Sequence, residues 1–251
     1  MQKHQRNGKN IPLATLAAIV GVTILGASAL AQATPITVAN YNFASPTHGP
    51  NGYADNITSW VNISNGGSGS QNVAGQTEEF YQTTLNNWPA PNAADGGDYM
   101  AWINGQQNIF QDVTTTDGAT WQPNTTYTLS LYMGHRLDQT GNSQGEMELV
   151  SGTPSGTTII NGVVEASNLD LTATEGDLQQ YTISFTTGTT VPASDMIINL
   201  LGANPFTNNA DQVDFTDVTL NTSAVPEPSS LTLVGWAAAG LWLVGRKRKP
   251  A

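Results

Sequence analysis

The chain has 251 residues, no cysteine, 25 glycines and a formal net charge of −11. The missing cysteines exclude thiol catalysis, cysteine-held zinc and disulfide staples, so stability must come from a packed core, and the length suits one core of ordinary size. Lys3, Arg6 and Lys9 open the chain and Arg246, Lys247, Arg248 and Lys249 close it, while Arg136 alone stands between them with all 19 acids; a body this acidic repels phosphate backbones, which excludes nucleic acid as a partner.

In chain order, a basic opening (MQKHQRNGKN) is followed by an apolar run from Leu13 to Ala31, with small residues at Ala29, Ala31 and Ala33. That three-part layout is the pattern of a secretory signal peptide. Residues 1–33 are assigned to a signal helix, which takes the body across the inner membrane.

Residues 34–222 are rich in Thr, Asn, Gly and Gln, with short strand-like runs between turn residues. The expected strands are ITVAN, SWVNI, EEFYQ, DYMAWI, NIFQDV, TYTLSLYM, GEMELVS, TTIINGVV, LQQYTISFTT, DMIINLLG and QVDFTDVTL. Tyr127, Leu129, Leu131 and Met133 alternate onto one face, as do Tyr181, Ile183 and Phe185. DMIINLLG is continuously apolar, the mark of a strand covered on both sides. The phase of QVDFTDVTL slips at Thr216–Asp217, which marks a bulge. GGSGSQN at 66–72 lacks the ending of a phosphate loop and reads as a flexible turn. No part of the body has a helical period. Many short strands without a long amphipathic helix predict an all-β, antiparallel sandwich with jelly-roll connections.

Residues 223–251 begin with Val225-Pro226-Glu227-Pro228, extended and unpaired because each proline lacks an amide hydrogen and restricts its predecessor. Leu231 to Val244 is an uncharged, mostly apolar run that makes a short transmembrane helix, and the Arg246, Lys247, Arg248 and Lys249 flank stops transfer and stays in the cytoplasm. VPEPSS, a short apolar helix and RKRK in this order resemble the PEP-CTERM sorting signal of exported proteins in Gram-negative, exopolysaccharide-producing bacteria. The resemblance implies that an exosortase recognises Pro226, Glu227 and Pro228, removes the tail and passes the body to the cell surface or matrix.

VANYNF, DYMAWINGQQNIFQDV, TYTLSLYMGHRLDQ and QVDFTDVTL, in that order, resemble the galactose-binding-like sandwiches found in carbohydrate-binding modules. The chain departs from that pattern at Ala44, where the family places an acid beside a structural calcium. Oxygen-rich positions that suit calcium are Asp211, Asp214 and Asp217 in one short stretch and Asp138 in another, with solvated loop acids as the plainer account of all four. Trp88 and Tyr53, each next to turn residues, are candidate platforms for a sugar ring. Arg136 is placed to pair with Asp138, and His48 and His135 lack the partners a zinc site needs. Glu146 and Glu148 share one strand face, an arrangement open to a glycosidase but common on solvated strands. The expectation is a non-enzymatic module that binds extracellular polysaccharide, against two alternatives, a structural matrix protein without a ligand and a glycan-active hydrolase.

Overall fold

In the computed structural model the described residues are 32–47, 49, 53–62, 68–72, 99–105, 107–134, 144–170, 178–202 and 212–225. Six strands come first: β1 (Thr34–Ile36), β2 (Tyr53–Ala54), β3 (Val61–Asn62), β4 (Ser68–Asn72), β5 (Tyr99–Asn104) and β6 (Asn108–Asp112). A short helix, α1 (Val113–Asp117), leads into β7 (Thr125–Gly134), β8 (Gly145–Ser155), β9 (Thr158–Asp170), β10 (Leu178–Thr186), β11 (Asp195–Gly202) and β12 (Gln212–Ala224). Among the described residues these strands form two sheets, one in the order β10-β7-β12-β5-β4-β2 with β1 also on β12, the other in the order β3-β6-β11-β8-β9. Neighbours within both sheets pair antiparallel, so the all-β sandwich expected from alternation is the fold.

One core joins the sheets. Ala101, Ile103, Leu129, Leu131, Met133, Val213 and Phe215 of the larger sheet meet Ile109, Met147, Leu149, Met196, Ile198 and Leu200 of the smaller. The inward set predicted on β7 is fully buried. β11 is central, flanked by β6 and β8, and buried on both faces; behind it Phe110, Val150 and Ile197 form a second apolar cluster. Unbroken apolar character is what such a position requires.

The phase slip in β12 is real. Its pairing with β7 shifts register between Thr216 and Thr219, with Asp217 at φ 52°, and the Val218 amide donates to the Tyr41 carbonyl at 3.0 Å. Val213 and Phe215 before the bulge and Val218 and Leu220 after it therefore all reach the same core.

Several expectations need correction. The strand at ITVAN ends at Ile36, because the chain then turns through Asn40 and Phe43 at positive φ. Gln111 ties that turn down, donating to the Ala39 carbonyl and accepting from its amide, and the Trp60 indole N–H donates to Ala39 and Asn40. SWVNI shrinks to Val61–Asn62. GGSGSQN holds a strand, β4, and Gly69 is required there: a methyl group would lie 2.0 Å from the Ala54 carbonyl oxygen and 3.0 Å from the Trp102 ring. The small helix α1 was not predicted; Asp112 caps it by accepting from the Thr115 amide, and Gly118 ends it at φ 71°. EEFYQ, the apolar part of the signal segment and the C-terminal apolar run lie outside the described residues. Among the described residues no helix is long and apolar enough to cross a membrane.

Candidate active site

Antiparallel register fixes which side chains stand next to one another on the face of the larger sheet turned away from the core. One row crosses five strands: Gly69 on β4 is opposite Trp102 on β5, Trp102 opposite Asp214 on β12, Asp214 opposite Gly134 on β7, and Gly134 opposite Leu178 on β10. Strands lie about 4.8 Å apart, so Trp102 and Leu178 stand roughly 14 Å from each other with the carboxyl between them. Gly134 supplies no side chain to the row beside Asp214.

This face is shielded from water. Asp214, Leu178 and the neighbouring Met100 are 0% exposed and Trp102 is 9% exposed, yet none of the four belongs to the core between the sheets. A buried carboxyl needs hydrogen-bond partners. Gln212, two residues before it on the same face, donates from Nε2 to Asp214 Oδ1 at 2.6 Å, with both side chains buried. Asn104 stands opposite Gln212, and its Oδ1 is buried without a hydrogen bond. Tyr132 and Thr216 form the next row, and the Thr216 hydroxyl donates to the Tyr99 carbonyl. Together these residues make a dry sheet face with an indole at one side, an aliphatic side chain at the other and one acid in the middle. A carboxyl held in such dry surroundings is a candidate proton donor.

A separate groove of about 260 Å³ opens along β1, with Pro35, Ile36, Val38, Tyr41, Val218 and Leu220 in its lining. It contains no carboxyl group, so it lacks the proton donor present at Asp214.

Of the residues singled out in the sequence, Asp214 lies at the centre of this row and Asp217 forms the bulge. Among the described residues no three acidic or histidine side chains converge as a metal site would require. Tyr53 lies on the short strand β2, not on a loop, and is 70% exposed. Trp88, Asp138, Asp211, Pro226, Glu227, Pro228, Arg246, Lys247, Arg248 and Lys249 fall outside the described residues. Trp102 is buried on the opposite face of β5 from the core. The usable signal was in YMAWI: Met100 and Trp102 alternate with Ala101 and Ile103, so the strand is apolar on both sides and covered on both.

A sandwich with a buried acid on a covered sheet face has the makings of a small-molecule enzyme. The chain belongs to the HpiC1-like family, whose model, described as HpiC1 cyclase, matches residues 34–221. Solved structures agree on the fold. A Stig cyclase, Fisc, from Fischerella sp. TAU, in complex with (3Z)-3-(1-methyl-2-pyrrolidinylidene)-3H-indole, is 20% identical with a TM-score of 0.58, covering 77% of this chain and 100% of that one. A cyclase from Fischerella sp. TAU in complex with 4-(1H-indol-3-yl)butan-2-one is 20% identical with a TM-score of 0.58, over 76% of this chain and 98% of that one. A family 16 carbohydrate-binding module is 22% identical over 52% of this chain and 81% of its own, with a TM-score of 0.33. No curated protein matches the chain in sequence.

Membership of a cyclase family overturns the expectation of a non-enzymatic polysaccharide-binding or structural surface protein. That expectation rested on the sandwich pattern, the aromatic residues near turns and the sorting signal. It weighed Asp214 only as a calcium candidate, because strand register alone brings that acid into one row with an indole and two glycines.

Proposed function

We propose that the chain is a cyclase that closes a ring in an aromatic small molecule bearing a pendant alkene, on the covered face of the larger sheet. The observation that carries this reading is the fully buried Asp214 carboxyl, opposite the Trp102 indole on one neighbouring strand and Gly134 on the other. In its protonated form Asp214 gives a proton to an unsaturated atom of the substrate. Positive charge then develops beside the Trp102 ring, whose face favours a cation. The alkene π electrons form the new carbon–carbon bond, and a proton leaves to the Asp214 carboxylate. One proton enters and one leaves, so substrate and product are isomers. The absence of water protects the cation from capture, and the indole-bearing ligands of the Fischerella structures support an aromatic substrate of similar shape.

The test uses an indole with a pendant alkene as substrate and 4-(1H-indol-3-yl)butan-2-one as binding probe. The full chain is expected to yield a ring-closed product of unchanged mass. Asp214→Asn should lower turnover at least about 100-fold, the lower end for a general acid, while calorimetry shows the probe still bound. Undiminished turnover by Asp214→Asn would sink the reading.

We also propose that the body is a jelly roll of the galactose-binding-like type, exported by the signal at residues 1–33 and released from its C-terminal anchor by an exosortase acting at Pro226, Glu227 and Pro228. Support for export is the order of basic, apolar and small residues at one end and of prolines, apolar run and basic flank at the other.

A further inference from the structure

We infer that Gln212 is a positioning residue for Asp214, holding the carboxyl in one orientation and setting how readily it gives up its proton; the inference rests on the reading of Asp214 as the acid. Gln212 and Asp214 are two apart on β12, so alternation puts both on the covered face of the larger sheet. The bond from Gln212 Nε2 to Asp214 Oδ1 is 2.6 Å long, and the residues are 7% and 0% exposed, so water does not compete for it.

What sets this contact apart from ordinary satisfaction of a buried amide is the choice of acceptor. Asn104 stands directly opposite Gln212 in register, and its buried Oδ1 has no hydrogen bond. The Gln212 amide nevertheless donates to the carboxyl. A carboxylate is the stronger acceptor, because a charge-assisted bond is roughly twice as strong as one between neutral groups. With Oδ1 held by Gln212, rotation of the carboxyl is restricted. A donor to the carboxylate also favours the ionised form. Gln212 therefore acts twice on one group: it limits rotation of the carboxyl, and it eases proton release when the substrate takes the proton.

The experiment compares Gln212→Leu and Gln212→Glu with the unaltered full chain. The protein is labelled with ¹³C at aspartate carboxyl carbons, and the Asp214 resonance is identified by its loss in Asp214→Asn. In Gln212→Leu, which removes the donor and keeps the bulk, the Asp214 titration midpoint is expected to move to higher pH, and kcat on the pendant-alkene indole to fall about tenfold with KM changed less than twofold. Gln212→Glu should restore turnover only in acid, where its neutral carboxyl still donates, and lose it as that group ionises beside Asp214. If Gln212→Leu does not fold, the acid-only rescue by Gln212→Glu decides the question alone. An unmoved Asp214 midpoint, or Gln212→Glu turnover that follows the unaltered protein at every pH, would overturn the inference while leaving the acid role of Asp214 intact. Undiminished turnover in Asp214→Asn would remove that role and this inference with it.

Discussion

Glu148 shows how far one side chain can be pulled between burial and partnership. It is half-buried on β8 and accepts from Asn199 Nδ2 at 2.7 Å, and Asn199 in turn accepts from Asn108 Nδ2 at 2.8 Å, a chain of amides across three strands of the smaller sheet. Burial pushes the Glu148 carboxyl above its ordinary value, the Asn199 donor pulls it back, and the neighbouring Glu146 adds a smaller upward push. A carboxyl that binds its proton more tightly in the folded state than in the unfolded one gives stability that is complete below the unfolded value and is lost as pH rises through the folded value. Glu148→Gln keeps an acceptor for Asn199 and carries no charge to desolvate. Its urea midpoint is expected to match the unaltered protein in mildly acidic buffer and to exceed it at neutral pH, with a flatter pH dependence between. A midpoint lowered equally in both buffers would mean that the Asn199 contact, not desolvation, dominates at this position.

At the scale of the strand, β12 does the most to place the acid, and it does so by changing phase. Before the bulge its odd-numbered residues face the core, and after it the even-numbered ones do. Without an extra residue, Val218 and Leu220 would lie on the same face as Asp214, and the strand would expose either two core residues or the acid's neighbours. Asp217 takes up the phase change at φ 52°, a left-handed conformation that aspartate tolerates and β-branched residues resist. Asp217→Val is expected to destabilise the full chain by about 1–2 kcal/mol, and Asp217→Gly much less, measured by urea unfolding; equal effects would show that the lost carboxylate, not the backbone, sets the cost. This bulge was legible in QVDFTDVTL because the apolar phase breaks there. The eight strands from β5 to β12 were readable on the same grounds, since alternation or unbroken apolar runs mark them. β4 was not, because a strand built as Ser-Gly-Ser looks like a linker until the Trp102 ring is seen lying over Gly69. Nor was the candidate site, because Gly69, Trp102, Gly134, Leu178 and Asp214 come from five strands far apart in sequence, and register alone brings them into line.

Across the whole molecule, charge is sorted by position along the chain. Seven of the eight cations stand within ten residues of one end or the other, and the body between carries a single arginine against all 19 acids. Basic flanks of apolar segments are retained on the cytoplasmic side, so this distribution suits the export proposed for the body. The acidity also suits a protein with an apolar edge. β9 is the last strand of the smaller sheet among the described residues, and it leaves Ile160, Val163, Val164 and Leu169 exposed. Unpaired apolar edges invite pairing between copies, and a high like charge opposes it. If the tail is a sorting signal, the mature protein keeps this body and loses the basic flank. Mass spectrometry of the surface fraction from the native host is then expected to find peptides from β5 to β12 and none containing Arg246, Lys247, Arg248 or Lys249. Those four residues would persist in the surface form of a protein held by a simple uncleaved anchor, and their recovery there would end the exosortase reading without touching the chemistry proposed for Asp214.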